Sequence, residues 1–157
     1  MIEPIRRTVT VRCDPKTAFR VFTAELGTWW PLETFSRAAD REDPSIKTER
    51  IVFEEHVGGR IYEVLSDGSE GDWGTVEVWE PPTRVVYAWH PHDRPVPPTE
   101  VELRFSPDGT GTRVELEHRG WERLGELAEA GREGYASGWP LVLDERFVQA
   151  ANAAAQA

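Results

Sequence analysis

The sequence predicts an α+β fold in which a curved, seven-stranded antiparallel sheet wraps around a long C-terminal helix. Three observations carry this. Residues 58–89 read GGRIYEVLSDGSEGDWGTVEVWEPPTRVVYAW, an apolar alternation broken at Gly-Gly, Asp-Gly and Pro-Pro, where an antiparallel sheet would turn. A second alternating block follows at 99–118. Beyond it the period lengthens to that of a helix, with Tyr135, Trp139, Val142, Leu143 and Phe147 on one stripe. A sheet with one apolar face and a helix with one apolar stripe can bury each other, and together they make a container.

Each element follows from local signals. Residues 5–12 alternate, with Val9 and Val11 on one face, and read as the first strand. Asp14-Pro15 is an N-cap followed by a proline suited to the first helical turn. Ala18, Phe19, Phe22 and Leu26 then give a helical stripe, and Gly27 is the expected C-cap. After Trp29-Trp30-Pro31 a polar stretch to about residue 45 reads as a loop or a short helix. Strands are expected at 46–56, 60–65, 72–79 and 84–89, with Pro81-Pro82 in a turn because a proline cannot donate to a ladder. The inward face of the last two carries Val78, Val85, Tyr87 and Trp89.

Four prolines in residues 90–98 mark a loop. Strands at 99–105 and 112–118 flank the turn Pro107-Asp108-Gly109, and each alternates apolar with charged residues, as a sheet covered on one side does. A short charged helix is expected at 122–130 and the main helix at 132–151. Pro140 lies inside the main helix, so a kink near Ala136 or a later start is expected. The alanine-rich end, 155–157 above all, should fray.

Composition narrows the function classes. A chain of 157 residues fits a single domain spanning 1–157. Cys13 is its one cysteine, so no intrachain disulfide forms, and a cytoplasmic setting fits. No apolar run approaches the roughly 20 residues of a membrane span, and the N-terminus has no signal-peptide pattern. The net charge of −10, without a Lys/Arg cluster, disfavours nucleic acid and anionic membrane surfaces. Seven tryptophans suit an apolar pocket as well as a core. No nucleophile elbow, phosphate loop, paired catalytic carboxylates or zinc spacing is present, so no cofactor, metal or catalytic residue is assigned.

Specific residues point further. Val21-Phe22 before Trp29-Trp30-Pro31, Gly58-Gly59-Arg60, Trp73-Gly74-Thr75-Val76, Trp79-Glu80-Pro81-Pro82 with Arg84, Trp89, Gly111-Thr112, Val114-Glu115-Leu116, His118 and Gly138-Trp139 occur in an order that spans residues 5–147. On these the chain resembles the START-like (SRPBCC) superfamily, within it the bacterial branch similar to the C-terminal domain of the heat-shock-protein-90 ATPase activator. The resemblance implies the helix-grip (START-like) fold and an apolar cavity between sheet and helix. It does not imply one activity, because the superfamily includes lipid carriers, hormone receptors, polyketide cyclases and chaperone activators. The eukaryotic activator has a further N-terminal, chaperone-docking domain, for which the residues before the first strand leave no room.

The expected role is therefore binding of an apolar or amphipathic small molecule, with homodimerisation left open. Trp30, Tyr87, Trp89, Phe105, Leu116, Gly138 and Trp139 are candidate cavity walls, and they read equally as core filling. Trp29 and Trp30 could gate the mouth or seal the core. Gly134 and Gly138 each cost a helix about 1 kcal/mol against alanine, so either free space for a ligand or a close approach to the sheet offsets them. His118, on the inward parity of the last strand, and Arg60, after the Gly-Gly turn, are candidate polar anchors. The alternatives are a cyclase- or dehydratase-like enzyme using His118 as acid or base, and a chaperone- or stress-related interaction module. His90, His92 and Asp93 have ligand chemistry but no metal-site spacing, and Cys13 reads as structural.

Overall fold

Six strands joined in sequence by turns and loops form a meander, and the first strand returns to pair with the last. In the computed structural model, which describes residues 2–92 and 96–156, these are β1 (Ile5–Val11), β2 (Thr48–Phe53), β3 (Arg60–Leu65), β4 (Glu70–Glu80), β5 (Arg84–Trp89), β6 (Thr99–Asp108) and β7 (Gly111–Arg119). The sheet order is β1-β7-β6-β5-β4-β3-β2, antiparallel throughout. Ile5 opposes His118 and Val11 opposes Thr112, so the N-terminal strand is sewn along the whole of β7. With the long C-terminal helix against the sheet, this is the expected α+β helix-grip fold.

Register shifts occur at Thr48/Arg50, Ile61/Tyr62 and Val76/Val78. Each adds a residue on one strand, which bends it and increases local twist. The shift in β4 corrects one expectation. Side-chain parity reverses across it, so Trp79 rather than Val78 turns inward. Trp79 meets Phe19 at 5.0 Å and Phe53 at 6.1 Å between ring centroids. β2 is shorter than expected at both ends, whereas β6 and β7 are longer, with Pro107 paired opposite Thr112.

Helix α1 (Pro15–Phe22) begins as its sequence dictates, with Asp14 Oδ1 accepting from the Thr17 N–H at 2.9 Å. It ends a turn earlier than expected. Thr23 caps it by donating its hydroxyl to the Phe19 carbonyl at 2.7 Å, and Leu26 reaches the core from a separate turn, α2 (Leu26–Trp29). A 3-10 segment, Trp121–Leu127, replaces the first part of the expected charged helix. It is interrupted at Gly125, whose φ of 59° and ψ of −124° are open to glycine.

The C-terminal helix then runs as α3 (Ala128–Trp139), a π-helical stretch (Pro140–Phe147) and α4 (Val148–Ala154). The helix does not start as late as Pro140, since α3 runs ahead of it and Trp139 and Pro140 both keep helical angles. The wider π turn accommodates a ring that would clash with the carbonyl four residues back, and a missing N–H is tolerated there. Residues 155 and 156 lie beyond α4. Asp93 of the expected loop and Ala157 of the expected frayed end lie outside the described residues.

Packing is uneven along this helix. Leu103, Phe105, Val114 and Leu116 of the sheet join Phe19, Phe22, Leu143 and Phe147 in one buried cluster, and Ala151 closes it. Phe22 and Phe147 meet edge to face at 5.3 Å. The cluster occupies the space under the second half of the helix. Under the first half, α3 carries Ala130, Gly131, Gly134 and Gly138, and the space is not filled.

Candidate ligand-binding site

That unfilled space is a cavity of about 380 Å³ between the sheet, α3 and the loop of residues 31–40. The sheet contributes Trp73 and Trp89, the helix Gly131, Gly134, Tyr135, Gly138, Trp139 and Val142, and the loop side Trp30, Thr34, Phe35, Ser36 and Asp40. Pro91, His92, Leu127 and Ala130 complete the wall. A Cβ at Gly134 would meet nothing within 4 Å, and one at Gly138 would meet only the Phe35 ring, at 3.4 Å. These glycines therefore leave space and do not serve close helix-to-sheet approach. Phe35 and Leu127, 39% and 44% exposed, stand at the mouth as two of the large apolar side chains left in contact with solvent.

The loop wall is fixed by a buried carboxylate. Glu63 is fully buried on the inward face of β3. Its Oε1 accepts from the Arg37 N–H at 2.7 Å and Trp73 Nε1 at 3.0 Å, and its Oε2 from the Ala38 N–H at 3.1 Å and from the Thr48 hydroxyl. Arg37 lies along β4, where a Cβ on Gly71 would come within 2.6 Å of its Cγ, and its Nη1 donates to the Asp72 carbonyl at 3.0 Å. Trp30 Nε1 donates to the Phe35 carbonyl at 2.7 Å. The loop is thus tied to β3, β4 and α2.

The two adjacent tryptophans take different roles. Trp29 seals the core, with Nε1 on the Val21 carbonyl at 2.7 Å and its ring against Phe22 and Phe147. Trp30 faces Trp73, Trp89 and Trp139 across the cavity wall, at 5.1, 5.8 and 6.4 Å. Trp89 Nε1 is buried and has no hydrogen-bond partner among the described residues.

His118 stands behind the wall and not in it. Its ring is fully buried beneath Trp121 and Tyr135, at 4.3 and 4.9 Å. Trp139 Nε1 donates to its Nδ1 at 3.1 Å, which leaves the proton on Nε2, 2.7 Å from the Thr99 hydroxyl oxygen. Burial pushes its pKa down from 6.5 to about 3. The imidazole is neutral and enclosed, and its evident work is to orient Trp139. Unfolding restores the ordinary value, so between pH 6.5 and about 3 the unfolded chain binds the extra proton. This contribution to stability is complete above pH 6.5 and falls by about 1.4 kcal/mol per pH unit as pH is lowered through that window. His118→Gln should flatten the slope, as checked by urea unfolding of both proteins from pH 7 to pH 4.

The remaining expected wall residues, Tyr87, Phe105 and Leu116, are buried in the core and do not line the cavity. Arg60 is on the sheet surface, its guanidinium paired with Asp72 at 2.6 Å and Glu70 at 3.0 Å and lying 4.1 Å from the Tyr62 ring centroid. Its backbone N–H, not its side chain, meets Glu54, at 2.7 Å. Burial pushes the Cys13 thiol up, which keeps it protonated. His92 lines the cavity, and Asp93 is outside the described residues. Among the described residues no group of three or more His, Cys, Asp or Glu is placed to hold a metal, and no helix is long and apolar enough to cross a membrane.

Sequence reasoning missed Trp73, Phe35, Ser36 and Asp40 as wall residues and Glu63 as their support. Only Glu63 carried a usable signal, a carboxylate on the same strand face as Ile61 and Leu65.

The family model described as Activator of Hsp90 ATPase homolog 1-like protein matches residues 12–152. No match was found among curated proteins. Among solved structures, the anthrahydroquino-γ-pyrone synthase Txn09, complexed with SUM, is 31% identical with a TM-score of 0.64, covering 95% of this chain and 97% of that one. CalC, a self-sacrificing resistance protein from Micromonospora echinospora, is 26% identical with a TM-score of 0.65, covering 96% and 92%. A Rhodobacter sphaeroides protein at 21% identity and a TM-score of 0.69, covering 99% and 94%, shares the fold.

Proposed function

The chain belongs to the Activator of Hsp90 ATPase homolog 1-like family, within the START-like (SRPBCC) superfamily, and from that premise we propose that it binds one apolar or amphipathic small molecule between sheet and C-terminal helix. The observation that carries this is the glycine-faced half of α3 set opposite Trp30, Trp73 and Trp89 around about 380 Å³ of open space. A helix gives up about 1 kcal/mol at each interior glycine, and here no close approach explains Gly134. The volume lies within the range of small-molecule sites. Flat aromatic walls favour a ligand with a flat apolar body. Thr34, Ser36, Asp40 and His92 supply the polar side that an amphipathic ligand needs.

In this reading Trp30, Trp89, Gly138 and Trp139 are walls, Phe35 and Leu127 flank the mouth, and His118 acts through Trp139. Tyr87 supports the wall through Trp89, Phe105 and Leu116 belong to the core under the second half of the helix, and Arg60 plays no part. A cytoplasmic setting goes with the single buried thiol. Native mass spectrometry of protein purified without denaturation should show a stoichiometric adduct, and a bare polypeptide mass after expression in several hosts would count against a resident ligand.

The synthase at 31% identity favours a second reading, a cyclase- or dehydratase-like enzyme on the same cavity. Its acid and base would come from Asp40, His92 and Tyr135, which border the space, because His118 is enclosed. The chaperone-accessory reading has the family description alone behind it.

A further inference from the structure

Resting on the cavity reading, we propose that the Trp89 indole N–H is the polar anchor of the site and donates to a neutral oxygen, of carbonyl or ether type, on the bound molecule. Six tryptophans are buried. Five give their N–H to the protein: Trp29 to Val21 O, Trp30 to Phe35 O, Trp73 to Glu63, Trp121 to His118 O and Trp139 to His118 Nδ1, all at 2.7–3.1 Å. Trp89, 3% exposed, is the exception among the described residues, and it is one that borders the open space. Buried donors are seldom left unpaired, because the lost hydration is not regained. Its neighbouring rings are Trp30, Trp73 and Tyr87, at 5.8, 5.7 and 5.3 Å, and none accepts from it. A ligand atom in the cavity is the acceptor this arrangement calls for.

The surroundings also set the charge of that atom. Among the described residues no lysine or arginine lines the cavity, while Asp40 does. A carboxylate or phosphate buried there would lack a cation and would face an acidic side chain, which disfavours it. A neutral oxygen on a flat apolar frame fits both the donor and the walls.

Fluorenone and fluorene test this, since they differ only in a carbonyl against a methylene at one ring position. Trp89→Phe keeps an aromatic wall and removes the N–H. Calorimetric titration should show fluorenone weakened about tenfold by the substitution, the worth of one hydrogen bond, with fluorene changed less than twofold. Equal weakening of both probes, or of neither, would overturn the anchor while leaving the cavity reading intact. If neither probe binds the folded wild type, both proposals fall. Should Trp89→Phe not fold, the wild-type indole resonance gives the same answer: fluorenone should shift the Trp89 Nε1–H signal downfield and fluorene should not, and equal shifts would refute the anchor.

Discussion

Replacing Gly134 and Gly138 together by leucine is expected to cut ligand affinity at least a hundredfold while raising stability. Both positions border the cavity on α3, and the added carbons meet open space at 134 and the edge of the Phe35 ring at 138. Two isobutyl groups would occupy the volume now opposite Trp30 and Trp89. Leucine is favoured over glycine inside a helix by about 0.5–1 kcal/mol per site, so the melting temperature should rise by several degrees. Calorimetric titration and thermal unfolding of the double variant read the two effects separately. Retained affinity in a well-folded variant would place the ligand elsewhere. Gly134→Ala is the matched control, which should gain stability and keep binding.

Removal of the Glu63 carboxylate should be the most destabilising single change in the wall. Glu63→Ala leaves the Arg37 and Ala38 amides, the Thr48 hydroxyl and the Trp73 indole without their acceptor. An unsatisfied buried donor costs about 1–3 kcal/mol, and with partial relaxation the total is expected near 4 kcal/mol in urea unfolding. Glu63→Gln keeps one acceptor oxygen and should lose about half as much. The loop of residues 31–40 supplies Phe35, Ser36 and Asp40 to the cavity. Hydrogen exchange at the Arg37 and Ala38 amides should therefore accelerate in Glu63→Gln, and ligand affinity should fall with it. Unchanged exchange would show that the loop is held by other contacts.

How much of this was legible in the sequence depends on whether a feature is local. Alternation in β5, β6 and β7 was readable because each strand has one covered face, and the Asp14-Pro15 start of α1 because capping involves neighbours three residues apart. Parity beyond the β4 bulge was not, since one extra residue reverses the faces without a composition signal, and Trp79 took the place expected for Val78. Pro140 was read as a kink or a later start, yet the helix runs through it as a π stretch, with Trp139, Val142 and Leu143 packed in the core. Within the site, Trp30, Trp89, Gly138 and Trp139 were anticipated from spacing and resemblance. Phe35, Ser36 and Asp40 were not, because an aperiodic loop gives no facing rule. His118 had the right parity, but only its three-dimensional partners show a neutral ring enclosed behind the wall. The Trp89 donor lay further still from sequence, since it is defined by the partners that other tryptophans have and this one lacks.

The most direct measurement is an isotope-filtered nuclear Overhauser experiment on labelled protein with one equivalent of unlabelled fluorenone. Cross-peaks from the ligand to the Trp30, Trp89 and Trp139 indoles and to the Gly134 and Gly138 α-protons are predicted, all lost in the double leucine variant. Cross-peaks confined to the outer face of the sheet, around Tyr62 and Arg60, would contradict a ligand held between sheet and helix.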